Sequence, residues 1–278
     1  HFRQGAALER RWGAVSVPLD GEAIRPAAPA IELAGFSKHY GDRLAADSLT
    51  FSVPPGEIVG LVGPNGAGKT TTLRAIAGIH APSAGTIRVA GHDVVRHPVE
   101  AKRRLALVPD EPSLFASLTV WEHLEFTARI YGVREWQPAA GALLDEMELG
   151  DRRQSLGDEL SRGMRQKVAV ACALLHEPAV LLFDEPLTGL DPRGIRTLYD
   201  AIRRRAAAGA AVLLSSHLLG QIEGLCTSFV VMRQGKLLFA GSRDEMRARY
   251  ATAGTTLEEV FFHLTEGTAP HPAAAAAP

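Results

Sequence analysis

Gly63-Pro64-Asn65-Gly66-Ala67-Gly68-Lys69-Thr70 fits G-x-x-x-x-G-K-[ST] at every defined position, and its flanks constrain the fold around it. Upstream, Glu57 to Val62 is a short apolar run that reads as a buried strand. Downstream, Lys69 to Ile79 carries Leu73, Ile76, Ala77 and Ile79 at helical spacing. A strand–loop–helix context separates a phosphate cradle from an ordinary glycine turn entering a core helix. Glycines let the backbone wrap a polyphosphate with its N–H groups turned inward, and the helix N-terminus adds the positive end of its dipole. Within Gly63 to Thr71, Lys69 supplies a point charge for the β- and γ-phosphates and Thr70 a hydroxyl for Mg²⁺. The expected ligand is a nucleoside triphosphate.

Ala179 to Pro186 carries the second signal. An apolar run too short for a packed helix ends abruptly in Asp184 and Glu185, as a central strand does at its C-terminal edge. Ligands of open α/β sheets bind at that edge. Asp184 is placed to reach Mg²⁺ through its water shell, and Glu185 to polarise an attacking water. An acidic helix cap after a core strand is the plainer alternative, and the cradle upstream argues against it.

Composition bounds the rest. The 278 residues are enough for one large α/β domain or two modest ones with a sizeable core, and 46% hydrophobic and 22% charged residues are the makeup of a soluble globular protein. A net charge of −1 gives no footprint for nucleic acid or an anionic membrane. Cys172 and Cys226 sit in apolar stretches without metal-ligand spacing and read as buried hydrophobes in a reducing compartment. The longest apolar candidate, Ala206 to Leu214, falls short of the about 18 residues a bilayer requires, and residues 1–20 lack the apolar segment of a secretory signal. The first residue is His1, so a trimmed start is expected.

Residues 1–29 end in a Pro/Ala-rich stretch that reads as linker, and 267–278 is a low-complexity tail expected to be disordered. Between them, strands are expected at Ile31 to Leu33, Leu49 to Val53, Gly85 to Gly91, Leu105 to Val108, Val180 to Phe183 and Ala211 to Ser215. Helices are expected after Asp191 and from His217. Thr119 to Gly163 reads as mostly helical, with Trp121, Leu124, Ala128 and Tyr131 on one apolar side. The alternation argues for a mostly parallel sheet flanked by helices, interrupted by a helical insert.

Leu160-Ser161-Arg162-Gly163-Met164-Arg165-Gln166-Lys167 resembles the signature segment LSGGQ-x-Q-[KR] of ABC transporter nucleotide-binding subunits, and it lies between cradle and acidic pair in that family's order. The resemblance covers roughly Ile31 to Thr265. It implies a P-loop NTPase (RecA-like) α/β core with an antiparallel β subdomain and an inserted α-helical subdomain. The ATPase domain would span 30–266 and the insert about 112–165. It also implies that Ser161 and Gly163 cap the γ-phosphate of ATP bound to a second subunit, an identical chain by the simplest pairing, across a head-to-tail interface. Taken alone, Ser161 reads as an ordinary helix N-cap. Tyr40 matches the aromatic that stacks on adenine, His217 the switch histidine at the γ-phosphate, and Leu190-Asp191 the loop crossing the interface. Asn65 would face the partner's signature segment.

Two departures stand out. Asp110, in Val108-Pro109-Asp110-Glu111-Pro112, occupies the place of a Gln that senses Mg²⁺ and the attacking water; it keeps the capacity to bind the ion but adds negative charge. Arg162 replaces the first signature glycine, either as a charge aimed at the γ-phosphate or as a solvated side chain, and Met164 replaces the signature Gln. The resemblance further implies Mg-ATP as cofactor and an integral membrane permease as partner, at the cytoplasmic face of a bacterial-type membrane. Docking is expected near Asp110 to Glu122, with Leu114, Phe115 and Leu118 offering apolar contact. Ala240 to Ser242 and Thr256 to Phe261 resemble the C-terminal end of ATPases serving ABC-2-type exporters, which favours export. Competing readings are a soluble ABC ATPase acting on ribosomes or DNA, and a GTPase or small-molecule kinase. One cradle, no sustained heptads and no N-K-x-D motif speak against them.

Overall fold

Every residue of β3 (Ile58–Val62) is buried, because this strand lies inside a sheet covered on both faces. The computed structural model describes residues 28–251 and 255–266, so the expected tail and nearly all of the expected linker lie outside the described residues. β3 pairs in parallel with β8 (Ala211–Ser216) and β9 (Ser228–Arg233). β8 pairs with β7 (Val180–Phe183), and β7 with β6 (Leu105–Val108), also in parallel. β10 (Lys236–Ser242) closes the edge antiparallel to β9, giving the order β10-β9-β3-β8-β7-β6. A second, antiparallel sheet runs β2-β1-β4-β5, built from β1 (Ile31–Tyr40), β2 (Arg43–Val53), β4 (Ala84–Val89) and β5 (His92–Asp93).

The two-residue period of the strands divides the interior into two cores. Val59, Leu61, Leu182, Leu213 and Val230 face the antiparallel sheet and α1 (Lys69–Ile76), where they meet Phe36, Leu49, Phe51 and Leu73. Ile58, Val62, Leu181, Phe183, Val212 and Leu214 face the helical side. That side holds α3 (Val120–Tyr131), α4 (Trp136–Glu146), α5 (Arg162–Leu175) and α6 (Pro192–Ala207). Burying each such Leu or Ile stabilises the fold by about 1.5–3 kcal/mol, so the alternation of side chains is what holds the layers in register. The short helix α2 (Pro98–Arg103) leads into β6. The strand at the acidic pair, the parallel sheet and the antiparallel subdomain all stand where the sequence pointed.

Four expectations change in detail. α1 stops at Ile76 instead of reaching Ile79, which is 56% exposed. The Ile79 N–H donates back to the Arg74 carbonyl at 2.9 Å, a closure that ends helices. Thr119 to Gly163 is less helical than its pattern suggests: after α4 the chain makes only two 3₁₀ turns, Gly150–Arg152 and Gly157–Glu159. The carbonyls of Arg153 and Ser155 are used by the Trp121 and Val120 N–H groups at the start of α3, so this stretch serves as a backbone cap. Of the apolar side of α3, Leu124 and Ala128 are fully buried, Trp121 is half-buried against Trp136, and Tyr131 stacks on His176. The helix from His217 is the single turn α7 (Leu219–Ile222). The β9–β10 hairpin went unanticipated.

The C-terminal motif also finds a structural use. Thr256 and Glu259 exchange hydrogen bonds, Thr256 N–H to Glu259 Oε2 at 2.7 Å and Glu259 N–H to Thr256 Oγ1 at 3.2 Å. This reciprocal cap starts α9 (Leu257–Glu266), which buries Leu257, Val260 and Phe261. Before it, α8 (Arg243–Tyr250) begins with a second capping box, between Ser242 and Glu245.

Gly85 joins β4 to the bulge in β1. Its φ is +78°, and a Cβ there would stand 2.2 Å from the Gly35 carbonyl oxygen. Gly85→Ala is therefore expected to destabilise the chain by about 1–3 kcal/mol, read as a lower melting temperature by scanning calorimetry. An unchanged melting temperature would mean that this close approach is not maintained.

Candidate functional site

The cradle is shaped by backbone contacts that leave no space for side chains. A Cβ on Gly63 would fall 2.3 Å from the Met232 carbonyl oxygen, and one on Gly68, at φ +103°, 2.3 Å from the Ala45 carbonyl oxygen. β9 and β2 thus press the loop from both sides, which is why the unanticipated β9 matters to the site. Gly68 is the N-cap of α1 and offers no side-chain cap, so the first-turn N–H groups face the cleft with the positive end of the helix dipole.

Lys69 is 6% exposed; its ammonium donates to the Gly63 carbonyl at 2.7 Å and lies 3.5 Å from Glu185 Oε1. Burial pushes its pKa below the ordinary lysine range, and the Glu185 and Asp184 carboxylates oppose that shift. Asp184 ends β7 almost fully buried. Its Oδ1 accepts from Thr70 Oγ1 at 3.1 Å and from Ser215 Oγ at 2.7 Å. The same Ser215 hydroxyl accepts the Glu185 N–H at 2.9 Å. Glu185 has φ +47°, a left-handed conformation that costs a non-glycine residue about 1–3 kcal/mol and recurs at functional sites. That turn aims its carboxylate at His217, whose Nδ1 donates to Oε2 at 3.0 Å.

Tyr40, Asn65, Gly66, Ala67, Gly68, Lys69, Thr70, Thr71, Asp110 and Glu185 line one open cleft of about 310 Å³. Gly63 and Pro64 join it through their carbonyls on Lys69, Asp184 through Thr70, and His217 through Glu185. Tyr40 closes one end, 43% exposed and edge-on to His80. Arg43 and Ala45 also line the cleft and were missed; Arg43 lies just after the turn that follows Tyr40, an unmarked position in the sequence. Ser215 was missed as well, although its place at the polar end of a wholly buried strand is a signal.

Ser161 and Gly163 do not line the cleft of their own chain. Ser161 N-caps α5, its Oγ accepting the Met164 N–H at 3.3 Å. A Cβ on Gly163 would lie 2.9 Å from the Gly189 carbonyl oxygen, so packing within the chain already requires glycine there. Arg162 is half exposed, and its Nη2 lies 3.1 Å from Asp110 Oδ1, a partner the sequence does not reveal. Partial burial raises the Asp110 pKa, Arg162 counteracts this, and the carboxylates of Asp184, Glu185 and Glu111 add to the rise. Burial also pushes the Cys172 thiol up to about 11 and the Cys226 thiol higher still, so neither supplies a thiolate at neutral pH.

The family profile described as ABC transporter matches residues 46–188. The ABC-type transporter ATP-binding protein EcsA of Bacillus subtilis is 35% identical over 226 residues, 81% of this chain and 92% of that one. The Nod factor export ATP-binding protein I of Paraburkholderia xenovorans is 38% identical, covering 84% and 76% of the two chains. Daunorubicin resistance ATP-binding protein DrrA3 of Streptomyces coeruleorubidus is 36% identical, covering 83% and 73%. Among solved structures, an ATP-binding subunit of an ABC transporter superposes with a TM-score of 0.81 at 36% identity, covering 84% of this chain and 99% of that chain.

Arg43 presents a guanidinium to the lip of a cleft shaped for polyphosphate. Arg43→Ala is expected to weaken affinity for a fluorescent ATP analogue by about tenfold, from the loss of one charge-assisted contact, with the melting temperature unchanged. Lys69→Ala is expected to weaken it further. Unaltered affinity in Arg43→Ala would remove that residue from the site.

Proposed function

The chain belongs to the ABC transporter family of ATP-binding subunits, and from that premise we propose that it hydrolyses Mg-ATP in a head-to-tail dimer to drive export through a separate ABC-2-type permease. One observation carries the catalytic part: the cradle lysine, the strand-end aspartate and the His217-bound Glu185 converge on a single cleft. Residues 30–266 form the ATPase domain in this reading, with the helical insert at about 112–165.

Mg²⁺ fits the donor set. Thr70 Oγ1 and Asp184 Oδ1 are hard oxygens held together at the cleft floor, and Mg²⁺ is commonly bound by one or two carboxylates together with substrate phosphates. Asp110 is the further carboxylate within reach of the cleft. When bound, the ion neutralises charge on the β- and γ-phosphates. Lys69 contributes a second positive charge on the same phosphates. Glu185, held by Ser215 at its backbone and by His217 at its carboxylate, accepts a proton from the attacking water. His217, donating through Nδ1, keeps that carboxylate aimed.

The α5 N-terminus supports the two-chain arrangement. Its Ser161–Gly163 turn does not line the cleft of its own chain, so the positive end of that helix dipole has no direct part in binding phosphate there. In a two-fold pair it would complete the partner's site, and the second subunit is most simply an identical chain. Hydrolysis removes the γ-phosphate link and opens the pair. No helix among the described residues is long and apolar enough to cross a membrane, and in this reading the transport path belongs to the permease. Phe115, Phe126 and Ile130, 54%, 44% and 63% exposed, form an apolar surface suited to a permease. Of the contacts expected there, Leu114 and Leu118 are only half exposed. The names of the relatives favour export: one serves Nod factor export, another daunorubicin resistance. Association at the cytoplasmic face of a membrane follows from the permease partner.

Glu185→Gln is expected to retain ATP affinity while lowering turnover by about a hundredfold or more, the scale of losing a general base. In that variant ATP should convert monomer to dimer by sedimentation, and monomers persisting at saturating Mg-ATP would contradict the shared site. Ser161→Arg should stop hydrolysis while leaving the monomer's nucleotide affinity intact; normal turnover would place the signature segment outside the reaction.

A further inference from the structure

We propose that Arg162 is a positioning residue for Asp110, and that the two act as one unit joining the start of α5 to the nucleotide cleft. The inference rests on the ATPase reading, because the direction of the Asp110 carboxylate matters only if the cleft receives nucleotide. These are two of the three positions at which the sequence departs from the family pattern, and they meet each other: Arg162 Nη2 donates to Asp110 Oδ1 at 3.1 Å. The Arg162 stem is not a freely solvated arm. A Cβ on Gly189 would come within 2.9 Å of Arg162 Cδ and 3.2 Å of Nε, so the side chain lies across the Gly189 backbone, which sets the direction of its guanidinium.

The charge balance gives the pair its purpose. Asp110 enters a cleft that already holds Glu185, with the Asp184 carboxylate behind it, and Lys69 is engaged by Glu185. An unneutralised third carboxylate would oppose a polyphosphate; Arg162 supplies the counter-charge from the first residue of α5. The two side chains are 42% and 44% exposed, and ion pairs so exposed contribute little to folding. Removing either partner should therefore alter the reaction far more than the stability. It should also do so non-additively: a lone Asp110 is repelled by the neighbouring carboxylates, and a lone Arg162 is freed to compete for Glu185.

A double-mutant cycle on the full chain tests this, with Arg162→Ala, Asp110→Asn and both together. The readouts are kcat and KM for Mg-ATP, melting temperature, and binding of a fluorescent ATP analogue in EDTA. Each single variant is expected to lower kcat by about fivefold at nearly constant melting temperature, the double variant to exceed either single by about threefold, and Arg162→Lys to retain most of the rate. Single effects that multiply in the double variant, or Arg162→Ala with the parent's kcat, would overturn the pairing while nucleotide binding by the parent leaves the ATPase reading standing. Absence of analogue binding by the parent chain would overturn the ATPase reading and the pairing with it.

Discussion

A single hydroxyl, that of Ser215, organises the end of the sheet that faces the cleft. It donates to Asp184 and accepts the Glu185 N–H, and Asp184 in turn receives the hydroxyl of Thr70 from the cradle helix. Three segments remote in sequence are thereby tied at one point: the end of β7, the end of β8 and the first turn of α1. The left-handed backbone of Glu185 is tolerable because this network determines it, and the strain directs a carboxylate toward both His217 and Lys69. A conformation that is costly alone becomes the lowest one available once its hydrogen bonds are made.

The same elements that build the core also build the site. β3 is wholly buried, so its end cannot wander, and the loop that follows is pressed between the carbonyls of Ala45 and Met232. The antiparallel sheet brings Tyr40 and Arg43 to the cleft's outer wall, while β6 brings Asp110 to the opposite side. Packing thus supplies preorganisation, the condition under which fixed charges and dipoles stabilise a developing transition state without reorganising. What the chain's own cleft does not contain is the N-terminus of α5, and that separation is the reason for reading the catalytic unit as a pair.

Local chemistry made much of this legible. The cradle motif, the abrupt Phe183-Asp184 boundary and the serine opening α5 are each recognisable within a few residues of sequence, although the carbonyls that demand glycine at Gly63 and Gly68 come from the remote Met232 and Ala45. Less legible were features that depend on distant partners. β9 owes its place to parallel pairing with β3, far upstream, and its apolar run could equally have served a helix. The stretch after α4 has helical composition, yet it is held open because its carbonyls cap α3. Arg43 looks like any turn arginine until β1 and β2 fold it beside the cradle. Arg162 and Asp110 each looked like an isolated departure, and only the tertiary fold shows them facing one another.

The central claim is that each nucleotide is completed by two chains, and subunit mixing addresses it most directly. Lys69→Ala chains lack a working cradle but keep the signature turn, and Ser161→Arg chains have the reverse. Each is expected to be inactive alone. Mixed in equal amounts, they should form pairs with one intact composite site and regain up to about a quarter of the parent ATPase rate, as two-fold symmetry and random pairing dictate. A mixture no more active than its separate components, together with full activity of Ser161→Arg alone, would contradict the account.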